Sequence, residues 1–187
     1  MKQKFSIVLK PDAASSREIK KIMKEISKKY GTYVALRDKK GPHASFIYMD
    51  EKIEDRDIRK TITNINKKFS NIPPFEVSIT GVTSFRKRYQ GSINWVVYLR
   101  IVKSKNLTKL YRIINNEIKQ YKHGRFKSFT PHITLARKDI DKETFFKILN
   151  EYQKRKISYR FTLRYLYAMK RRTKKEKHKI TKLRLGK

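Results

Sequence analysis

Apolar residues recur at helical spacing in four segments of the chain. The first predicted helix follows the candidate capping residues Ser15 and Ser16 and runs to Tyr30, where Gly31 stops it. Three further helices are predicted over 53–69, 107–121 and 141–152. Asn71 to Pro74 ends the second of them, since proline cannot continue a helix.

Short apolar or alternating runs between these helices predict strands, because strand side chains alternate between two faces. The predicted strands cover 5–9, 33–36, 43–49, 75–80 with a continuation over 82–85, 93–102, the segment that starts at 132, 157–169 and 179–185. The basic run from Arg86 to Gly91 is predicted to be a loop.

The order of the predicted elements suggests a loose internal duplication. Each half has a helix, then a strand that begins with Pro-His, then another helix. This pattern predicts an α+β protein of two pseudo-symmetric lobes, each an antiparallel sheet flanked by helices, with a central cleft. We expect residues 1–187 to form a single domain of these two lobes, with a basic C-terminal hairpin over about 157–187.

Two short motifs carry the candidate chemistry. Pro42-His43-Ala44-Ser45-Phe46 and Pro131-His132-Ile133-Thr134-Leu135 both read Pro-His-apolar-hydroxyl-apolar. In a strand, the His and the hydroxyl of each motif share one face, and the apolar residues share the other. Two such strands can place two imidazoles on either side of one substrate. Imidazole titrates near neutral pH, so one ring can accept a proton while the other donates one.

The paired motifs resemble those of the 2H phosphoesterase superfamily, which includes the 2′-5′ RNA ligases and the 2′,3′-cyclic nucleotide phosphodiesterases. The family has one His-x-Ser/Thr-x motif in each half, here His43-Ala44-Ser45-Phe46 and His132-Ile133-Thr134-Leu135. The second His follows the first by 89 residues (132 − 43), which is similar to the family's interval. Ala44 is smaller than the residue common at that position.

The resemblance implies metal-independent cleavage of a phosphodiester. His43 and His132 would act as general acid and general base, in an order that the sequence leaves open, and Ser45 and Thr134 would bind the phosphate oxygens. No metal site and no cofactor are expected. Neither motif His has a carboxylate three or four residues later, as many metal sites do.

Charge and composition narrow the class of partner. The chain of 187 residues has 49 Lys and Arg against 16 Asp and Glu, a net charge of +33. This excess indicates a polyanion, and RNA or a nucleotide cyclic phosphate is the expected partner. The absence of cysteine excludes disulfides and a cysteine nucleophile. No apolar run suits a signal peptide or a membrane span, so a cytoplasmic protein is expected, without a membrane or an obligate protein partner.

Further candidate contacts surround the motifs. Arg137 is a candidate phosphate contact, but regular alternation places it on the face opposite His132, so a bend or bulge would be needed. Tyr89, Arg86 and Arg88 are candidate RNA contacts, since aromatic rings stack on bases and cations bind phosphates. Trp95, inside an apolar strand, is predicted to pack in the core.

The expected function is hydrolysis of a 2′,3′-cyclic phosphate on an RNA end to a 2′-phosphate. Three alternatives stay open at this point: 2′-5′ RNA ligation, a non-catalytic RNA-binding protein on the same fold, and a basic ribosome-associated protein. The last alternative predicts no cleft that brings His43 and His132 together.

Overall fold

The structure is a computed structural model that describes residues 2–49, 53–89, 92–121, 129–171, 173 and 176–186, with only the backbone for 87–89 and 92. The strands are β1 (Lys2–Leu9), β2 (Ala44–Tyr48), β3 (Ile53–Glu54), β4 (Phe75–Tyr89), β5 (Ser92–Ile101), β6 (His132–Arg137), β7 (Ser158–Leu163), β8 (Tyr165–Arg171) and β9 (Lys179–Arg184). The helices are α1 (Ala13–Tyr30), α2 (Asp55–Phe69), α3 (Lys105–Ile118) and α4 (Lys142–Tyr152). None of these helices is long and apolar enough to cross a membrane.

Two antiparallel sheets form the frame of the molecule, which confirms the predicted α+β class. The first sheet has the order β2-β1-β8-β9, with β3 paired to the start of β1, and the second has the order β6-β5-β4-β7. Each motif strand therefore lies at the edge of its own sheet, and pairs with the strand that precedes it in the chain order. The two sheets share the unit strand, helix, motif strand, which is β1-α1-β2 in the first half and β5-α3-β6 in the second.

The helices are exchanged between the halves. Helix α1 from the first half packs with α4 on the second sheet, whereas α3 from the second half packs with α2 on the first sheet. Each helix buries its apolar stripe, such as Ile19, Met23 and Ile26 in α1 and Leu107, Leu110 and Ile114 in α3. Each sheet is thus covered by helices from both halves.

The predicted strand over 157–169 is wrong as a single element. It is two strands, β7 in the second sheet and β8 in the first, separated at Arg164. The buried positions change phase at this point, from Phe161 and Leu163 to Leu166 and Ala168. A strand with one buried face keeps a period of two, so this change of phase is a sequence signal for the break.

Three shorter predictions are also corrected. Residues 34–37 form a turn rather than a strand. The residue that caps α1 is Asp12 rather than Ser15 or Ser16, and its side chain accepts a hydrogen bond from the Ser15 amide at 2.8 Å. The predicted loop from Arg86 is strand as far as Tyr89, because the whole segment pairs with β5. Residues 90 and 91 lie outside the described residues.

The predicted continuation of the strand past Gly81 is confirmed. Gly81 has a φ of 57°, and the register with β5 shifts there. A glycine at positive φ fits such a β-bulge, and the strand resumes beyond it.

Candidate active site at the two motif strands

The two motif strands share one backbone irregularity. Ile47 pairs with Ile7 and Ser45 with Val8, so Phe46 is an extra residue in β2. In the same way, one extra residue in β6 follows the hydroxyl of the second motif: Ala136 pairs with Val97 and Thr134 with Tyr98, which leaves Leu135 unpaired. Each motif therefore has a β-bulge at the residue directly after its hydroxyl residue.

The bulge changes which side chains share a face. Leu135 and Ala136 are both buried, so Arg137 returns to the face of His132 and Thr134. Regular alternation would place Arg137 on the opposite face. The bulge at Leu135 is the irregularity that is needed to bring Arg137 to the face of His132. The corresponding bulge at Phe46 brings Tyr48 to the face of His43 and Ser45.

Both motif imidazoles are held by the same hydrogen bond. Nδ1 of His43 lies 2.8 Å from the Gly41 carbonyl oxygen, and Nδ1 of His132 lies 2.8 Å from the Thr130 carbonyl oxygen. A carbonyl oxygen can only accept, so each Nδ1 carries the proton. Nε2 of each neutral ring therefore keeps its lone pair, and is the atom that exchanges a proton.

The surroundings of both rings disfavour the imidazolium. Burial lowers the pKa of His43 from its ordinary value near 6.5 to about 4, against the raising effect of the Gly41 carbonyl. Burial also lowers the pKa of His132, whose ring packs against the rings of Phe85 and Tyr98 at centroid distances of 5.3 and 4.9 Å. At neutral pH both imidazoles of the free protein are thus neutral and able to accept a proton.

Arg137 connects the two motifs. Its positive charge lowers the pKa of His43 as well as that of His132, so the guanidinium lies within electrostatic range of both rings. It also forms an ion pair with Asp38 at 3.2 Å. Asp38 lies in the loop before the first motif, and Arg137 lies at the end of the second motif strand. The fold thus brings the two motifs around one shared cation.

The loop that precedes the first motif is tied to the end of β6 by a second carboxylate. Asp139 accepts hydrogen bonds from Thr32 Oγ1 at 2.7 Å and from the amides of Tyr33 and Val34 at 2.5 and 2.8 Å. Lys138, between Arg137 and Asp139, has a φ of 69°, and the Asp139 amide donates to the Arg137 carbonyl at 2.9 Å. This γ-turn is strained for a non-glycine residue. It directs both neighbouring side chains toward the loop.

The remaining candidates lie elsewhere. Arg86 pairs with Trp95, whose ring packs against Phe145 of α4 at 4.7 Å, so this face of β4 is opposite the one where Phe85 meets His132. The structure therefore does not bring Arg86 to the motifs. Trp95, predicted to pack in the core, is partly buried and packs against the core from its edge. For Arg88 and Tyr89 the backbone ends β4, and their side chains lie outside the described part of the chain.

Several site residues were not predicted from the sequence. They are Asp38 and Lys40 in the loop before the first motif, Tyr48 in β2, Phe85 in β4 and Tyr98 in β5. One signal for Tyr48 was present, since it follows His43 by five residues, as Arg137 follows His132. Within the described residues, no group of three or more His, Asp or Glu side chains is arranged to hold a metal ion.

Comparisons with known proteins give the family. The model of the 2′-5′ RNA ligase superfamily matches residues 7–175. The chain belongs to the 2′-5′ RNA ligase superfamily. This confirms the resemblance that the two motifs indicated.

Similar proteins agree with this membership. A protein of Staphylococcus saprophyticus named as a phosphoesterase is 25% identical over 181 residues, which cover 94% of this chain and 95% of the relative. An RNA 2′,3′-cyclic phosphodiesterase of Thermotoga maritima is 22% identical over 125 residues, 65% of each chain. The crystal structure of E. coli LigT in its apo form superposes with a TM-score of 0.62 at 14% identity, covering 100% of this chain and 99% of LigT. This 2′-5′ RNA ligase superfamily member therefore has the LigT fold.

Proposed function

We propose that this protein hydrolyses the 2′,3′-cyclic phosphate at an RNA end to a 2′-phosphate, with His43 and His132 as its acid–base pair. One observation carries the proposal: the two motif strands present the same constellation. Each has an imidazole anchored through Nδ1, a hydroxyl two residues later and a bulge after that hydroxyl. Both also lie near Arg137.

The reaction requires two proton transfers at one phosphorus. Nε2 of one histidine takes a proton from water as the water oxygen bonds to phosphorus. The bond from phosphorus to O3′ breaks, and Nε2–H of the other histidine protonates that oxygen. The products are a 2′-phosphate and a 3′-hydroxyl. Each transfer is typically worth about 10²–10⁴-fold in rate.

Charge around the phosphate determines whether one histidine is protonated. Both pKa values are lowered in the free protein, so the acid must gain its proton when the anionic substrate binds. A bound negative charge favours the imidazolium and raises its pKa. Ser45 and Thr134 donate hydrogen bonds to the non-bridging oxygens, and Arg137 balances the charge that develops on them.

The same pair supports 2′-5′ ligation as a second candidate, which the family description favours. The 5′-hydroxyl of a second RNA takes the place of water, bonds to phosphorus and displaces O3′. The proton transfers are unchanged, and the product is a 2′-5′ phosphodiester with a free 3′-hydroxyl. The net charge of +33 supports RNA as the substrate for either reaction.

The deciding experiment is turnover of a short RNA with a 2′,3′-cyclic phosphate end, in EDTA, from pH 5 to 9. His43→Asn and His132→Asn are the test variants, because the Asn amide can still donate to the backbone carbonyl that anchors the ring. We expect hydrolysis by the wild type with a bell-shaped profile and a loss of about 10³-fold or more in each variant. Undiminished turnover in both variants would refute the histidine pair. RNA binding without any turnover would indicate the non-catalytic alternative.

A further inference from the structure

Two tyrosines lie side by side on the face of the first sheet that carries the first motif. Tyr165 and Tyr167 are two residues apart in β8, and their rings meet edge to face at a centroid distance of 5.2 Å. Both residues are partly exposed. The proposed reaction uses neither of them, because its groups lie on β2 and β6. The pair therefore offers aromatic surface beside the histidines that the chemistry does not require.

Strand pairing places Tyr167 in line with the first motif. Val8 pairs with Ser45 on one side and with Tyr167 on the other, and Tyr167 in turn pairs with Lys182. Directly paired residues share a face, so one row of side chains crosses the sheet from Ser45 to Lys182. Neighbouring strands are about 4.8 Å apart, so the backbone of Tyr167 lies about 10 Å from that of Ser45. The pair is thus close to a phosphate bound at Ser45.

The opposite face of β8 is covered by helix α2. Leu166 is buried on that face, and Lys170 forms an ion pair there with Asp55 at the start of α2. Side chains alternate along a strand, so the two tyrosines project away from α2. They project to the side on which the first motif presents its imidazole and hydroxyl.

Each tyrosine ring has a lysine ammonium over it. Lys10 Nζ lies 5.3 Å from the centre of the Tyr167 ring, and Lys182 Nζ lies 4.6 Å from the centre of the Tyr165 ring. Burial lowers the pKa of Lys10, and the Asp38 carboxylate opposes this effect. Asp38 lies in the loop before the first motif, so Lys10 connects the tyrosine pair to the candidate active site.

We propose that Tyr165 and Tyr167 form a stacking platform for the bases of single-stranded RNA that precede the terminal cyclic phosphate. The inference rests on the proposed function, since it takes that phosphate to lie at the histidines. A cyclic phosphate closes the 3′ end, so the rest of the strand extends only in the 5′ direction. Sheet faces with aromatic side chains stack the bases of single-stranded RNA, and each stacked base contributes about 5- to 150-fold in affinity.

The platform suits a nucleotide chain because it offers a partner to each part of it. Bases stack on the rings, and the flexible side chains of Lys10 and Lys182 can move their ammonium groups from the rings to phosphates. Stacking on a tyrosine does not depend on an unpaired cation in the free protein. The net charge of +33 favours a polyanion over an uncharged partner.

A series of substrates of increasing length tests the platform. The series consists of adenosine 2′,3′-cyclic phosphate and of ApA, ApApA and ApApApA that end in the same cyclic phosphate. We expect kcat/KM to rise by about 10- to 100-fold up to ApApA, as two bases stack, and to change little beyond it. A trinucleotide whose two 5′ nucleotides are abasic keeps the phosphates and should lose most of the gain. Equal kcat/KM for the intact and the abasic trinucleotide would overturn the proposal.

Variants locate the length preference on the two rings. Tyr165→Leu and Tyr167→Leu should each reduce the ratio of kcat/KM for ApApA over the mononucleotide by about fivefold or more, whereas the Phe variants keep the rings and the ratio. Tyr159→Leu makes the same change in β7, at the edge of the second sheet opposite the second motif strand, and should leave the ratio unchanged. A ratio cancels any loss of folded protein. An unchanged ratio in both Leu variants of the platform would overturn it.

A binding measurement separates failure of the platform from failure of the function. Adenosine 2′-phosphate and ApApA with a 2′-phosphate end are titrated into the protein, which requires no turnover. The trinucleotide should bind about tenfold or more tightly, and Tyr167→Leu but not Tyr159→Leu should lose most of this gain. This result without turnover of any cyclic phosphate would retain the platform and reject the function. Turnover without any length preference in kcat/KM or in binding would do the reverse.

Discussion

The Arg137 guanidinium lies 3.2 Å from the Asp38 carboxylate, and this ion pair joins the end of the second motif strand to the loop before the first motif. Both side chains are partly exposed, so the pair itself contributes little to stability, about 1 kcal/mol or less. The ion pair instead positions a catalytic-site charge, because it holds the Arg137 guanidinium close to both His43 and His132.

Loss of the Arg137 charge should affect turnover more than folding. We expect Arg137→Gln to lower kcat/KM for an RNA cyclic phosphate by about 10²-fold, since a preorganised cation at a developing anion is typically worth that much. The midpoint of thermal unfolding of Arg137→Gln should differ from that of the wild type by only a few degrees. Arg137→Lys keeps the charge without the planar fork and should be intermediate. Activity of Arg137→Gln within twofold of the wild type would contradict this role.

The two motif hydroxyls should act in the chemical step. We expect Ser45→Ala and Thr134→Val each to lower kcat by about 10²-fold, as removal of one donor to a developing oxyanion does. Steady-state kinetics on the cyclic phosphate RNA measures the effect. Thr162→Val, on an exposed position of β7, is the matched control and should leave kcat unchanged. Equal kcat values for the control and both test variants would exclude the hydroxyls from the reaction.

Acid should destabilise the protein through His43. Its pKa is lowered to about 4 on folding, so the unfolded chain binds the proton more readily between pH 6.5 and pH 4. The contribution is fully present above pH 6.5 and is lost as the pH falls toward 4, by up to about 3 kcal/mol. Urea unfolding at pH 7, 5.5 and 4.5 measures it. His43→Gln should lose less free energy of unfolding than the wild type over this range, and an identical decline would contradict the shift.

Ligand binding should take up a proton. Both histidines are neutral in the free protein at pH 7, whereas the bound phosphate favours an imidazolium. Calorimetric titration of a nucleotide 2′-phosphate at pH 7, in buffers of different ionisation enthalpy, should show uptake of a substantial fraction of one proton. Affinity should increase as the pH falls from 8 to 6. The double variant His43→Asn, His132→Asn should bind without buffer dependence; if its dependence persisted, the proton would belong to another group.

The γ-turn at Lys138 should store backbone strain. A non-glycine residue at a φ of 69° costs about 1 kcal/mol or more, which glycine avoids. We expect Lys138→Gly to raise the midpoint of thermal unfolding by a few degrees. Lys138→Ala removes the same side chain but keeps the strain, and should have little effect. Equal midpoints for the two variants would show that the turn is relaxed.

Much of the site could be inferred from local sequence. The two Pro-His strands, the pairing of imidazole with hydroxyl on one face and the four helices all depend on spacing within a few residues. Trp95 was predicted to pack in the core because its neighbours in the chain are apolar. Errors arose where charge was taken as a sign of a loop: Arg86 to Tyr89 is strand because β5 supplies its partners.

The sequence by itself determined the residues of the two motifs, the elements that carry them and the basic character of the chain, because residue type and period are local properties. Only the tertiary structure decided that Leu135 bulges and returns Arg137 to the face of His132, that Arg164 divides one apolar run between two sheets, and that Arg137 pairs with Asp38. Register, sheet partners and charge clusters depend on contacts between residues far apart in the chain. Spacing along the sequence shows which face a side chain occupies, but not what lies opposite it.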